Sequence, residues 1–268
     1  MEMDPSAFLK ADVGRRDLTT KLAIPDIDGT AHVICLEDAV IAGTDEASDV
    51  FAALGVDAEP IAKDGERVRA GSRIMSVSGP ISGMLTCEAT ALGFLSCMSG
   101  VATAVSSAVE AGQGRIRVAV ARTTVPGFGE FERKAVMVGG GDPYADALDS
   151  MVFLRRGHVA ACGGVRNAME RISKASIAVK KGVEVVSAEE ARVAASMGAD
   201  IVRALGAGPE ATADIFEAVR SVSDRIIVEA SGSIRAGDVP DYIGKADVAI
   251  LDRALGDSRP VRFSLDIA

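Results

Sequence analysis

Short apolar runs alternate with longer amphipathic stretches through the second half of the chain. The runs are RIRVAVA (115–121), AVMV (135–138), SMVFL (150–154), IAVKKGVEVV (177–186), ADIVRA (199–204), RIIVEA (225–230) and ADVAIL (246–251). Their length and β-branched content predict strands. Between them, 165–175, 187–198, 208–223 and 236–244 carry apolar residues at helical spacing. Ser187, with Glu190 three residues on, predicts a capped helix start. Strands alternating with helices predict a parallel sheet with crossover helices. Seven strands favour a β/α barrel, while a doubly wound open sheet fits the same alternation.

The first half has a different rhythm. The stretch 31–43 is strand-like and ends in glycine, and 45–55 predicts a helix ending at Gly55. The stretch 65–85 predicts short strands broken by Gly71, Gly79 and Gly83, and 87–112 predicts one or two helices stopped by Gly112. The expected organisation is a small domain of strands plus helix over 1–112 and a β/α barrel over 113–268, an α/β protein as a whole.

In a β/α barrel the chemistry sits at the carboxyl ends of the strands. Arg122 follows the first predicted strand. Arg155, Arg156 and His158 follow the third, Glu184 lies in the fourth, and Arg203 ends the fifth. Ser231, Gly232 and Ser233 follow the sixth, Asp252 and Arg253 the seventh, and Lys134 precedes the second. Cations gathered at one rim would focus positive potential and grip a compact anion. Exposed helix starts also carry solvated charge for no functional reason. The small residues of ASGSIRAGD (230–238), between a strand and a helix, suit a phosphate, although tight turns use them for geometry alone. His32 reads as structural.

Composition narrows the partners. The net charge is −9, which argues against a general nucleic-acid or membrane-surface role but not against a small anionic substrate. The core must be aliphatic, since aromatics are 4% and Trp is absent. Cys35, Cys87, Cys97 and Cys162 form no CxxC pair, and they read as reduced residues of a cytoplasmic protein. No signal peptide is expected, and no apolar stretch of membrane-spanning length.

Several segments resemble the quinolinate phosphoribosyltransferase family, the carboxylating nicotinate-nucleotide pyrophosphorylases. They are DVGRRDLTT (12–20), CEATALGFLSCMSGVAT (87–103), ARTTVPGFGEFERKAVMVGGGDPY (121–144), SAEEARVAASMGADIV (187–202) and VEASGSI (228–234). The resemblance implies an α/β sandwich followed by an incomplete seven-stranded barrel, usually in a homodimer. It implies transfer of phosphoribose from phosphoribosyl pyrophosphate to quinolinate with Mg2+, releasing pyrophosphate and carbon dioxide and supplying NAD synthesis. It makes Glu184 and Lys134 the catalytic candidates, with Glu184 also the metal candidate. It makes Arg122 and His158 candidates for the acceptor and Ser231 and Gly232 for phosphate; the strand-end reading adds Arg155, Arg156 and Arg203 to the first set and Ser233, Asp252 and Arg253 to the second. The chain departs from the family pattern at Ala89, Thr123, Tyr144, Ala145, Gly182 and Leu205. Those departures keep two alternatives open: a diverged enzyme for another anionic acceptor, and a non-catalytic binding or assembly protein.

Overall fold

The computed structural model describes residues 4–122, 124–144, 147–251 and 258–268. The chain divides into two compact units, and the division is not one cut in sequence. The first unit takes residues 1–106, 124–140 and 255–268; the second takes 107–123 and 141–254.

The first unit begins with helices α1 (Ser6–Val13) and α2 (Leu18–Ala23). Asp17 caps α2, its carboxylate accepting from the Thr20 amide and hydroxyl, and these bonds hold the carboxyl below its ordinary range. Then come β1 (Asp28–Cys35), β2 (Ala39–Val40), α3 (Thr44–Ala52), β3 (Asp57–Pro60), β4 (Arg67–Val68), β5 (Ser72–Pro80) and α4 (Ile81–Ala111). The sequence expectation of strands through residue 85 is corrected here, because the helix starts at Ile81. Gly83 does not break a strand. It lies inside α4, where a Cβ would meet Val56 Cγ2 at 2.8 Å. The expectation of no long apolar stretch is also corrected. Within α4 an 18-residue window reaches a mean hydropathy of 1.6. Half of that window is buried in the protein, and Cys87, Ala91, Leu95 and Met98 are fully enclosed, so this is a core helix. Burial pushes the Cys87 thiol up to about 12, which leaves it unreactive.

Residues 135–138, expected as a strand, belong to helix α5 (Gly129–Val138). The helix buries Phe131, Glu132, Ala135 and Val136, a helical stripe that the short run AVMV does not show by itself. Phe131 packs edge-on against Phe94 at 4.9 Å and against Phe8 at 5.9 Å. The chain's last strand, Phe263–Ile267, pairs antiparallel with β1 on the side opposite β5. The tail therefore completes the sheet of the first unit.

The second unit is built on β6 (Arg117–Val120), β7 (Val152–Leu154), β8 (Lys181–Val185), β9 (Ile201–Leu205), β10 (Ile227–Ile234) and β11 (Val248–Leu251). The tail strand is thus β12. The six form one parallel sheet in the order β6-β11-β10-β9-β8-β7. With the expected second strand helical, a single parallel bridge, Ala119 to Asp142, stands beyond β6 among the described residues. This is the incomplete barrel, with six strands and a bridge in place of seven strands.

Helices α6 (Arg156–Ala161), α7 (Val165–Arg171), α8 (Ala188–Ser196) and α9 (Pro209–Arg220) cover the outer face. Leu154, Val183, Val185, Val202, Ala204 and Val228 point outward into that layer, against residues such as Met169, Ala194 and Ile215. Each large aliphatic side chain buried this way contributes about 1.5–3 kcal/mol. A short 3-10 turn (Ala236–Tyr242) follows β10. The expected cap forms at α8: Ser187 Oγ accepts from the Glu190 amide, while Glu190 reaches back to the Val186 amide. Ser187→Ala is expected to lower stability by about 1 kcal/mol in urea denaturation; an unchanged midpoint would show the cap to be idle.

Candidate active site

Residues paired across a parallel ladder share a face, and successive residues alternate faces. The register sets Glu184 beside Arg203, and Arg203 beside Glu229. One pair earlier, Phe153 stands beside Gly182. Because Val183, Val202 and Val228 point into the outer helices, Glu184, Arg203 and Glu229 point inward. Glu184 sits near the carboxyl end of β8, Arg203 at the centre of β9 and Glu229 in the first half of β10, and they are 7%, 9% and 2% exposed. Each has buried charge that must be met by partners.

Arg203 Nε donates to Glu229 Oε2 at 2.8 Å, and the Tyr144 hydroxyl donates to the same oxygen at 3.2 Å. The guanidinium lies 4.4 Å from the Phe153 ring centre and 4.8 Å from that of Tyr144. Burial works to lower the Arg203 pKa, and the adjacent Glu229 charge more than offsets it, so the group stays firmly protonated. Burial pushes the Glu229 carboxyl above its ordinary range, opposed by Arg203 and Tyr144. Burial and the neighbouring Glu229 charge also raise the Tyr144 hydroxyl. Phe153 holds its place through Gly182: a Cβ there would fall 2.3 Å from the Phe153 ring.

The rest of the predicted set makes other contacts. Glu184 Oε2 accepts from the Arg156 amide at 2.7 Å, so this carboxylate stabilises the first turn of α6. The Arg156 side chain pairs with Glu190 at 2.7 Å. His158 is exposed, and its Nδ1 accepts from the Arg155 amide, closing the same turn. Arg155 and Arg122 are exposed. Lys134 lies in the first unit, on α5. Its ammonium bonds Glu46 at 2.9 Å and Asp45 at 3.0 Å, with Asp64 at 3.9 Å. Burial opposes the Lys134 charge, and those hydrogen bonds more than offset it, raising the pKa. Asp64 in turn caps α3, accepting from the Gly43 and Thr44 amides. The structure therefore gives Lys134 a place in an acidic cluster of its own unit, not at the start of a barrel strand.

The predicted phosphate turn is a bulge. Between Ala230 and Ile234 the register of β10 on β11 shifts, and Ser231, Gly232 and Ser233 leave that ladder. Gly232 has φ +121° and Ser233 +56°. Ser231 stays paired with Leu205 of β9, and its hydroxyl donates to the Ala204 carbonyl. Asp252 and Arg253 lie outside the described residues. At the other, amino-terminal end of the strands, an open depression of about 480 Å³ is lined by Arg117, Phe216 and Asp247, among others. Two of its charges are paired: Arg117 with Asp142 and Asp247 with Arg220.

Comparison with known proteins fixes the lineage. The quinolinate phosphoribosyl transferase N-terminal domain matches residues 17–99, and the C-terminal domain of the same description matches residues 101–266. The chain belongs to the quinolinate phosphoribosyl transferase family. A relative from Methanothermobacter thermautotrophicus, named a probable carboxylating nicotinate-nucleotide pyrophosphorylase, is 32% identical over 97% of this chain and 96% of its own. One of the same name from Archaeoglobus fulgidus is 33% identical over 82% of this chain and 86% of its own. The solved structure of NadC from Streptococcus pyogenes superposes with a TM-score of 0.90 at 29% identity, covering 98% of this chain and 95% of that one.

Within the family, the departures at Tyr144 and Gly182 are explained by one another's surroundings. Gly182 admits the Phe153 ring, Phe153 and Tyr144 bracket Arg203, and Arg203 and Tyr144 hold Glu229. Phe153 was not singled out from sequence; its inward register opposite a glycine was the available signal. Thr123 and Ala145 fall outside the described residues.

The family's magnesium can be tested against these side chains. Among the described residues, no group of three or more His, Cys, Asp or Glu side chains is arranged to hold a metal ion. Glu184 is engaged by an amide and Glu229 by Arg203 and Tyr144. These residues do not make a protein cage for magnesium, which needs near-octahedral oxygen donors.

Proposed function

We propose that this chain is a quinolinate-type phosphoribosyltransferase, joining phosphoribosyl pyrophosphate to quinolinate or a related ring carboxylate. The observation that carries the reading is the family match across both domains, together with a glycine-containing bulge at the carboxyl end of β10. In this reaction the ring nitrogen of the acceptor forms a bond to the ribose anomeric carbon as the bond to pyrophosphate breaks. With quinolinate, the adjacent carboxylate then leaves as carbon dioxide. The ring carbon keeps the electron pair and takes a proton from water.

The protein's part is positioning and charge stabilisation. The bulge Ser231-Gly232-Ser233 would receive donor phosphate. Arg122, Arg155 and His158, exposed in this structure, would meet the substrates' outer charges. Glu184, near the carboxyl end of β8, would be the carboxylate that stabilises the ribosyl centre. A homodimer in the cytoplasm belongs to the same reading.

Incubation with quinolinate, phosphoribosyl pyrophosphate and magnesium is expected to release pyrophosphate and carbon dioxide in equal amounts. A folded, thermally stable preparation that releases neither overturns the assignment. A second reading, a different anionic acceptor, is favoured by the aromatic-bracketed Arg203. It predicts pyrophosphate release with another ring acid and no carbon dioxide from quinolinate.

A further inference from the structure

Arg203 is bracketed by two rings and tied through one nitrogen, and its remaining hydrogen-bonding capacity is not used up. Its Nη2 is buried and has no hydrogen-bond partner. Native structures rarely leave such a donor unmet, and a guanidinium pays more for it than a neutral group. The guanidinium carbon sits in the corner made by the Phe153 and Tyr144 rings, which are set edge to face at 86°, and Nε is held by Glu229. What is left is a donor of set direction, on the inner face of the sheet, beside Glu184 and Glu229. A planar oxyanion lying in the guanidinium plane matches it.

We infer that Arg203 is the acceptor-specificity residue, its unpartnered Nη2 taking one oxygen of the ring carboxylate that the enzyme binds. The inference rests on the reaction class proposed above and adds the residue that selects the acceptor. The supporting cluster is constructed for this arginine. Gly182 has no room for any side chain because Phe153 occupies it, and Phe153 is one wall of the bracket. Tyr144 is the other wall. It is carried by a connection, not a strand, and holds a left-handed φ of +61°.

Titration calorimetry with quinolinate and with nicotinate tests this, with inorganic phosphate as the control probe. Arg203→Lys keeps a positive charge opposite Glu229 but has no second planar nitrogen. It is expected to weaken ring-acid binding by roughly tenfold to a hundredfold while phosphate binding changes by less than about twofold. Arg203→Met is the second variant, read only if its melting transition remains cooperative, and it should weaken ring-acid binding at least as much. Equal ring-acid affinity in the wild type and a folded Arg203→Lys overturns the inference, as does a wild type that binds neither acid. Pyrophosphate release measured in parallel separates the two ideas. Weakened binding without any turnover in the wild type keeps Arg203 as the recognition residue and removes the reaction. Turnover with an unchanged KM for quinolinate in Arg203→Lys keeps the reaction and removes Arg203.

Discussion

Glu229→Leu is expected to lose about 3–5 kcal/mol of stability, the usual consequence of leaving one charge of a buried pair without its partner. Arg203 is 9% exposed and cannot be rehydrated without opening the bracket formed by Phe153 and Tyr144. Its Nε has Glu229 as its carboxylate, and the Tyr144 hydroxyl loses its acceptor in the same substitution. The double variant Glu229→Leu with Arg203→Met should recover most of the loss, since apolar groups of similar volume often replace a buried pair at little cost. Chemical denaturation of the three variants decides it. If the single variant loses less than about 1 kcal/mol, the range of an exposed pair, the interior does not isolate these charges.

Gly232→Ala is the second large effect. At φ +121° an L side chain is strained by about 1–3 kcal/mol wherever it is placed. Here the added Cβ would also fall 2.6 Å from Gly206 Cα and 2.8 Å from Gly206 N, which are backbone atoms that cannot swing away. The Gly206 amide donates to the Ser231 carbonyl, so moving either strand end pulls on the other. A loss above about 3 kcal/mol is expected, since overpacking adds to the strain. Gly237→Ala is the matched control. It lies in the short turn after β10, nothing stands within 4 Å of its added Cβ, and it should stay within about 0.5 kcal/mol of the wild type. Equal melting points for the two variants would mean that the bulge yields, and a bulge that yields is a poor frame for a phosphate.

The alternation of strand and helix from β8 to β11 was readable because each strand is short, β-branched and closed by a capped or glycine-started helix. Ser187 with Glu190 marks one such start, and the structure keeps it. Three features were not readable, for separate reasons. The run AVMV looks like a strand because its helical partner Phe131 lies outside the window. The boundary at Ile81 is hidden because Gly83 punctuates a sequence whether it breaks a strand or lets a helix pack closely. The docking of Phe263–Ile267 on β1 is a tertiary choice, since periodicity says that a segment is extended and nothing about which edge it joins.

The site shows the same limit. Sequence order placed Arg203 and the bulge at strand ends; the bulge lies in the carboxyl-terminal half of β10, while Arg203 is at the centre of β9. It could not show that Glu184 is spent on the α6 amide, or that Lys134 answers to Glu46 and Asp45. Both facts depend on which elements meet, and like charges along a chain carry no record of their partners.

The pairing of β12 with β1 ties the last residues described to a strand that starts at Asp28. During synthesis the first unit therefore waits with one edge of β1 open until the chain has been made through Ile267, while the whole parallel sheet emerges in between. A nascent chain stalled short of that point presents an extended, unpaired edge to its neighbours, so this is a protein whose earliest-made sheet is among the last parts to be finished.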